Sequence, residues 1–208
     1  MKGMLGRKLG MSRVYEDGRK VTSVTLVETD SCHVVQRKTV ERDGYAALQL
    51  GIGRRKRATK PLRGHLKKAG LGHVPARVIE MRGEFEDDVK PGEKLEVGMF
   101  QPGDRVDVVG WTKGRGFAGG MKRHNWHGGP RTHGSNHHRR VGSVGPGTSP
   151  GRIWKGSRMP GHYGNEQQTA RNLRVVNVDA EKGLLYLKGS VPGPSGGVLI
   201  IIIRKTES

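Results

Sequence analysis

Cysteine is nearly absent: Cys32 stands alone in 208 residues. With no second thiol there is no intramolecular disulfide, which excludes a cystine-stapled secreted scaffold and points to a reducing compartment. Long apolar runs are missing too, since the longest, at 198–203, has six residues where a membrane-spanning helix needs roughly 20. The basic opening carries no apolar signal segment. Aromatic residues are only 5% of the chain, too few to pack all of it around cores. These shortages point to a soluble, cytoplasmic chain with no membrane role, part of which depends on a partner for order. The last shortage is negative charge. Residues 108–165 contain no Asp or Glu, so that stretch has no carboxylate for acid–base work or for completing a metal site.

What is abundant lies in the same place. The chain holds 38 Lys and Arg against 19 Asp and Glu, a net charge of +19, and 34 glycines. Residues 111–174 take 12 of the basic residues and one acid, Glu166, giving +11 in 64 residues, with 14 of the glycines and six of the nine histidines. The other 144 residues mix 26 basic with 18 acidic side chains, as an ordinary solvated surface does. The organisation expected is a globular domain of residues 1–110 and 175–208, interrupted by a glycine-rich basic extension at 111–174. Its partner should be a polyanion.

The globular part reads as mainly β. Short apolar segments at 11–16, 20–28, 33–38, 45–52, 77–82, 94–97, 105–111, 173–178, 184–188 and 198–204 are punctuated by Asp17-Gly18, Pro91-Gly92 and Pro102-Gly103. That spacing predicts a small barrel completed by the C-terminal strands. One short helix is expected near 59–69. Leu62, Leu66 and Ala69 recur at i, i+4 and i+7, Thr59 stands at the start with Pro61 in the first turn, and Gly70 ends it. Its other face is Lys60, Arg63, Lys67 and Lys68.

Several motifs mimic catalytic ones. Gly114-Arg115-Gly116-Phe117-Ala118-Gly119 fits G-x-G-x-x-G after a strand, but 121–130 predicts no helix, and the ribose-binding acid about 20 residues on is missing. It reads as a flexible loop hugging phosphate. His124, His127, His133, His137 and His138 raise a metal-dependent nucleic-acid enzyme as one alternative, opposed by the missing Cys and carboxylates. Ser135 and Ser143 lie near histidines but have no acid to orient one. No catalytic residue, metal or cofactor is expected.

The residues fit a nucleic-acid surface better. Arg54-Arg55-Lys56-Arg57 and the cationic helix face form one patch for phosphates. In the extension, Lys113, Arg115, Lys122, Arg123, Arg131, Arg139, Arg140, Arg152, Lys155, Arg158 and Arg171 supply cations, and His124, His133, His137 and His138 can bond phosphates or stack on bases. Trp126 and Trp154 are expected to stack on RNA, whereas Trp111, at a strand end, is expected in a core or domain junction. The acidic group Glu84, Glu86, Asp87 and Asp88 is expected to face solvent. RNA is favoured because an irregular arm suits folded RNA and no groove-reading module is visible. A nonspecific DNA packer shares the charge and stays open as the other alternative.

Particular residues narrow this. The opening Gly6-Arg7-Lys8-Leu9-Gly10-Met11-Ser12, the stretch 113–119, Lys122-Arg123, Gly128-Gly129-Pro130, Thr132-His133-Gly134-Ser135, Pro150-Gly151-Arg152 and the closing Val191-Pro192-Gly193 resemble the ribosomal protein L three family of the large subunit. The resemblance spans almost the whole chain. It implies a six-stranded, closed, translation-factor-like barrel bearing an extension that reaches through 23S ribosomal RNA toward the peptidyl transferase centre. It also implies an early role in subunit assembly and neighbours such as ribosomal proteins L fourteen and L nineteen. Where some bacterial members carry a methylated glutamine at the loop tip, Pro146-Gly147-Thr148 stands here.

Overall fold

The structure, a computed structural model, describes residues 3–16, 20–29, 31–83 and 89–204. In chain order the elements are β1 (Gly3–Glu16), β2 (Lys20–Glu28), β3 (Cys32–Lys38), α1 (Val40–Asp43), β4 (Ala47–Ile52), α2 (Lys60–Lys67), β5 (Arg77–Arg82), β6 (Arg105–Trp111), β7 (Phe117–Ala118), α3 (Gly120–His124), β8 (Gly161–His162), β9 (Gln167–Asp179), β10 (Leu184–Lys188) and β11 (Val198–Ile203). They divide into two compact units, Met1–Thr112 with Gln167–Ser208, and Lys113–Glu166.

In the first unit six strands are hydrogen-bonded in a ring, β1-β11-β6-β9-β10-β2, with β2 pairing back onto β1. Every pairing is antiparallel. Strand alternation makes the interior: Val106 and Val108 of β6, Leu185 and Leu187 of β10, and Leu199 and Ile201 of β11 are all buried. They join one core with Leu5 and Val27, and with Cys32, Val34, Leu50 and Ile52 of a second, three-stranded sheet ordered β3-β4-β5. Burying each such side chain contributes roughly 1.5–3 kcal/mol. Cys32 is purely a core residue: burial pushes its thiol up to about 12, and its Sγ accepts the Leu5 N–H at 3.4 Å. A smaller cluster places Leu66 and Ala69 of the α2 region against Val35, with Leu62, Val74 and Val78 around them.

Several expectations are revised. β1 starts at Gly3, eight residues before the expected 11, because the apolar β11 pairs with residues 3–7 whatever their own alternation. β9 starts at Gln167 and so takes in residues 167–174; its polar first half pairs with β6 through backbone groups that need no apolar side chains. The segment 94–97 makes only a His33–Lys94 bridge before a 3₁₀ turn at Val97–Met99 carries the chain away. Besides the expected α2 there are, among the described residues, two single-turn helices, α1 and α3, closed by left-handed Gly44 (φ 80°) and Asn125 (φ 57°). Neither is long enough to show an apolar period. The expected Asp17-Gly18 turn and the acidic group Glu84, Glu86, Asp87 and Asp88 lie outside the described residues. No helix among those described is long and apolar enough to cross a membrane.

Candidate nucleic-acid interface

On the first unit, α2 forms as its sequence dictates. Thr59 takes the extended cap conformation, Leu66 is buried, and Gly70 adopts φ 68°, where the helix stops. The apolar side being committed inward, Lys60, Arg63, Lys67 and Lys68 are all exposed, as are Arg54, Arg55, Lys56 and Arg57. The basic run is held by its backbone, Arg55 N–H donating to Val74 O at 2.8 Å.

A polar network ties α2 to the sheet beneath. Tyr45 Oη–H donates to Glu80 Oε2 at 2.9 Å, Gln49 Nε2 donates to Glu80 Oε1 at 3.1 Å, and Lys38 Nζ lies 2.8 Å from the same carboxylate. Because the Gln49 amide nitrogen is given to Glu80, its Oε1 must accept, so His65 Nε2–H is the donor in the 2.5 Å bond between them. Lys38, chiefly, holds the Glu80 carboxyl below its ordinary value, and Glu80 in turn raises Lys38. This acid therefore stabilises the fold and is not available for chemistry. Lys8 is likewise used internally. Its Nζ donates to Val191 O at 2.9 Å and Gly193 O at 3.0 Å, which brings the opening and closing motifs of the chain together.

In the second unit, two legs are joined at their base by β7 and β8 and by a reciprocal pair, Arg115 N–H to Tyr163 O at 2.8 Å and Tyr163 N–H to Gly116 O at 2.9 Å. The chain following the glycine motif is α3, contrary to the expectation of no helix. It is a single turn of five residues with two cations, Lys122 and Arg123, and the loop's Arg115 N–H and Gly116 carbonyl are spent on the opposite leg, so the dinucleotide reading gains nothing from it. Two donors then fix the second leg: Arg123 Nη1–H gives 2.9 Å to Met159 O, and His124 Nε2 lies 3.0 Å from the same carbonyl, which can only accept. Trp126, expected to stack on RNA, packs within the extension itself. It is half-buried, and a Cβ at Gly120 would overlap its ring, so only glycine allows this packing. Arg123, His124 and Trp126 thus help to hold the extension's own shape.

The remaining extension residues face outward. Lys113, Arg115, Lys122, Arg131, His133, His138, Arg139, Arg140, Arg152, Lys155 and Arg158 are exposed, whereas His137 is half-buried. Arg171 is also exposed, but on strand β9 of the first unit. Trp154 is 57% exposed with the Arg152 guanidinium 5.5 Å from its ring centre, and Arg115 lies 5.0 Å over Tyr163. Such pairs join a stacking face to a fixed cation. Trp111, two residues before Lys113 where the second unit begins, stands at the expected domain junction and not in a core. It is 39% exposed, since it shares the outward parity of Arg105 and Asp107 while residues 106, 108 and 110 point in. That parity was readable from the valines. Phe117, 80% exposed on β7, is the most open large apolar side chain among the described residues, and a two-residue strand gave no period to reveal it. Among the described residues no three His, Cys, Asp or Glu side chains gather as a metal site requires.

Comparison with known proteins agrees with this geometry. The model of the family described as ribosomal protein L3 matches residues 68–184. A protein of Thermotoga petrophila named large ribosomal subunit protein uL3 is 52% identical over 202 residues, covering 97% of this chain and 96% of its own. Proteins of the same name from Heliobacterium modesticaldum and Thermosipho africanus are 52% and 46% identical, covering 96% and 99% of this chain and 95% and 99% of theirs. None of these names is that of an enzyme. A cationic extension with a single acid, a cationic helix on a β domain, and identity of this extent along nearly the whole length lead to one conclusion: the chain belongs to the ribosomal protein L3 family.

Proposed function

We propose that this chain binds 23S ribosomal RNA directly, enters the large subunit early in assembly, and uses its extension to buttress RNA near the peptidyl transferase centre. The ring of six strands serves as a closed barrel of the translation-factor type, docking through residues 54–57 and α2. The work is done in the cytoplasm, within the ribosome. The observation carrying this reading is the exposure of nearly every cation in a 58-residue stretch, 108–165, that lacks any acid. Such a surface clamps phosphates and holds like-charged RNA strands together. Neighbouring ribosomal proteins, L fourteen and L nineteen by family resemblance, complete the partners. The outer face of β1 and β2, where Leu9, Met11, Tyr15 and Val21 are exposed, offers apolar surface for such a neighbour.

The test is competition: 23S RNA fragments should displace the protein from bulk duplex DNA, and equal affinity for both would favour a nonspecific packer. The tip can be tested separately. A Cβ at Gly147 meets nothing within 4 Å, so Gly147→Asp adds negative charge with no steric cost. Subunits carrying it should keep the protein but lose RNA protection near the tip and some peptide-bond formation. Normal protection and activity would refute a role for the tip.

A further inference from the structure

Outside the surfaces already described, the first unit contains a cleft of about 610 Å³, within the roughly 300–1,000 Å³ typical of ligand sites. It forms where the three-stranded sheet meets the β1–β2 pair. Arg7 and Glu28 stand opposite each other in the register of β1 and β2. Ser31 and His33 enter at the start of β3, Arg54 just past β4, and His73 from the segment after α2. The two imidazoles meet edge to face, with centroids 5.0 Å apart at 72°. His33 Nδ1 lies 3.3 Å from Ser31 O, a carbonyl that can only accept, which fixes Nδ1–H as the donor. Ser31 Oγ takes the Gly53 N–H at 3.3 Å and keeps its own proton to give.

We propose that this cleft receives one nucleotide extruded from the bound RNA strand, its phosphate on Arg7 and Arg54 and its base against His33 and His73. The proposal rests on the RNA-binding function above and assigns it a subsite. Two guanidinium groups suit a phosphate, which they can grip by paired N–H bonds. The imidazoles supply aromatic surface, and burial first, then His33 and Arg54, hold His73 below its ordinary value, which favours its uncharged form. Glu28, which would repel a bare phosphate, and the Ser31 hydroxyl provide an acceptor and a donor for a ribose 2′-hydroxyl or a base edge. A strand is favoured over a free mononucleotide because Arg54 opens the exposed run 54–57, along which the neighbouring phosphates can continue.

The experiment uses the full-length protein with a 23S RNA fragment that it retains, and compares affinity, salt dependence and nucleotide reactivity. His33→Leu/His73→Leu removes both rings without removing a permanent charge. It should weaken binding about tenfold, leave the salt slope unchanged, and expose one nucleotide that the wild type protects. His73→Phe, which keeps a stacking ring, should retain most of the affinity that His73→Leu loses, a recovery that a misfolded variant would not show. Leu variants that bind like the wild type with the same reactivity pattern would overturn the subsite, while RNA binding itself would stand. Failure of the wild type to bind any fragment would instead sink the underlying function. Titration with AMP and UMP separates the sources of the ligand: sub-millimolar saturation of the imidazole NMR signals would overturn the strand assignment in favour of a free nucleotide.

Discussion

The ring unit and the extension obey different rules within one chain. The ring unit buries Leu, Ile and Val in a shared core and pairs every strand of the ring on both sides. In the extension, residues 113–166, only Ala118, Gly120 and Gly164 are buried. Its shape depends on the Met159 carbonyl caught by both Arg123 and His124, on a ring laid over a glycine, and on turns at positive φ. Hydrophobic burial stabilises the first without help. The second carries a self-repelling charge and glycine entropy against few buried contacts, and both oppose its ordering.

The largest effect that could break this contrast is in binding. If six extension cations engage phosphates, the log–log dependence on salt has a slope of roughly −5, and affinity falls about a thousandfold over a fourfold rise in salt. A nearly flat dependence measured by filter binding would contradict the electrostatic account. Next come substitutions that separate the units. Leu185→Ala should cost the ring about 2–5 kcal/mol in urea unfolding, because Leu185 is wholly buried in the main core. Trp154→Ala should leave that unfolding curve in place and weaken RNA binding by about 1–3 kcal/mol; a shifted curve with unchanged binding would reverse the assignment.

The smallest effect is in pH. The folded state holds Glu80 below its ordinary value, chiefly through Lys38, and holds Glu16 low through its ion pair with Arg174. A depressed carboxyl contributes stability that is present above its unfolded pKa, about 4.3, and lost as pH falls through the lower folded value. Glu80→Gln should therefore lower stability modestly near neutrality, where the charged carboxylate contributes, and flatten the acid limb, the two proteins converging at low pH. An unchanged acid limb would show that the network under α2 contributes nothing.

Much of this was legible in the sequence, for identifiable reasons. α2 could be placed because Leu62, Leu66, Ala69 and Gly70 give period and stop together. β2, β5, β6 and β10 kept their expected bounds because apolar segments there are cut off by turn residues. The first half of β1 and the start of β9 were hidden, since their pairing is decided by the backbone of partners far along the chain. At the interface, exposed lysines and arginines could be foreseen from charge alone. The inward duties of Arg123, His124 and Trp126 could not, because they depend on contacts across 36 residues with Met159 or on the missing Cβ of Gly120.

The central claim is that the ring folds by itself while the extension is ordered by RNA, and limited trypsin digestion of the full chain, free and bound to a 23S RNA fragment, tests it most directly. The free protein should be cut first at the cations between Lys113 and Arg158 while the ring survives, and bound RNA should suppress those cuts. Early cleavage within the ring strands beside an intact extension, or an extension equally resistant with and without RNA, would contradict it.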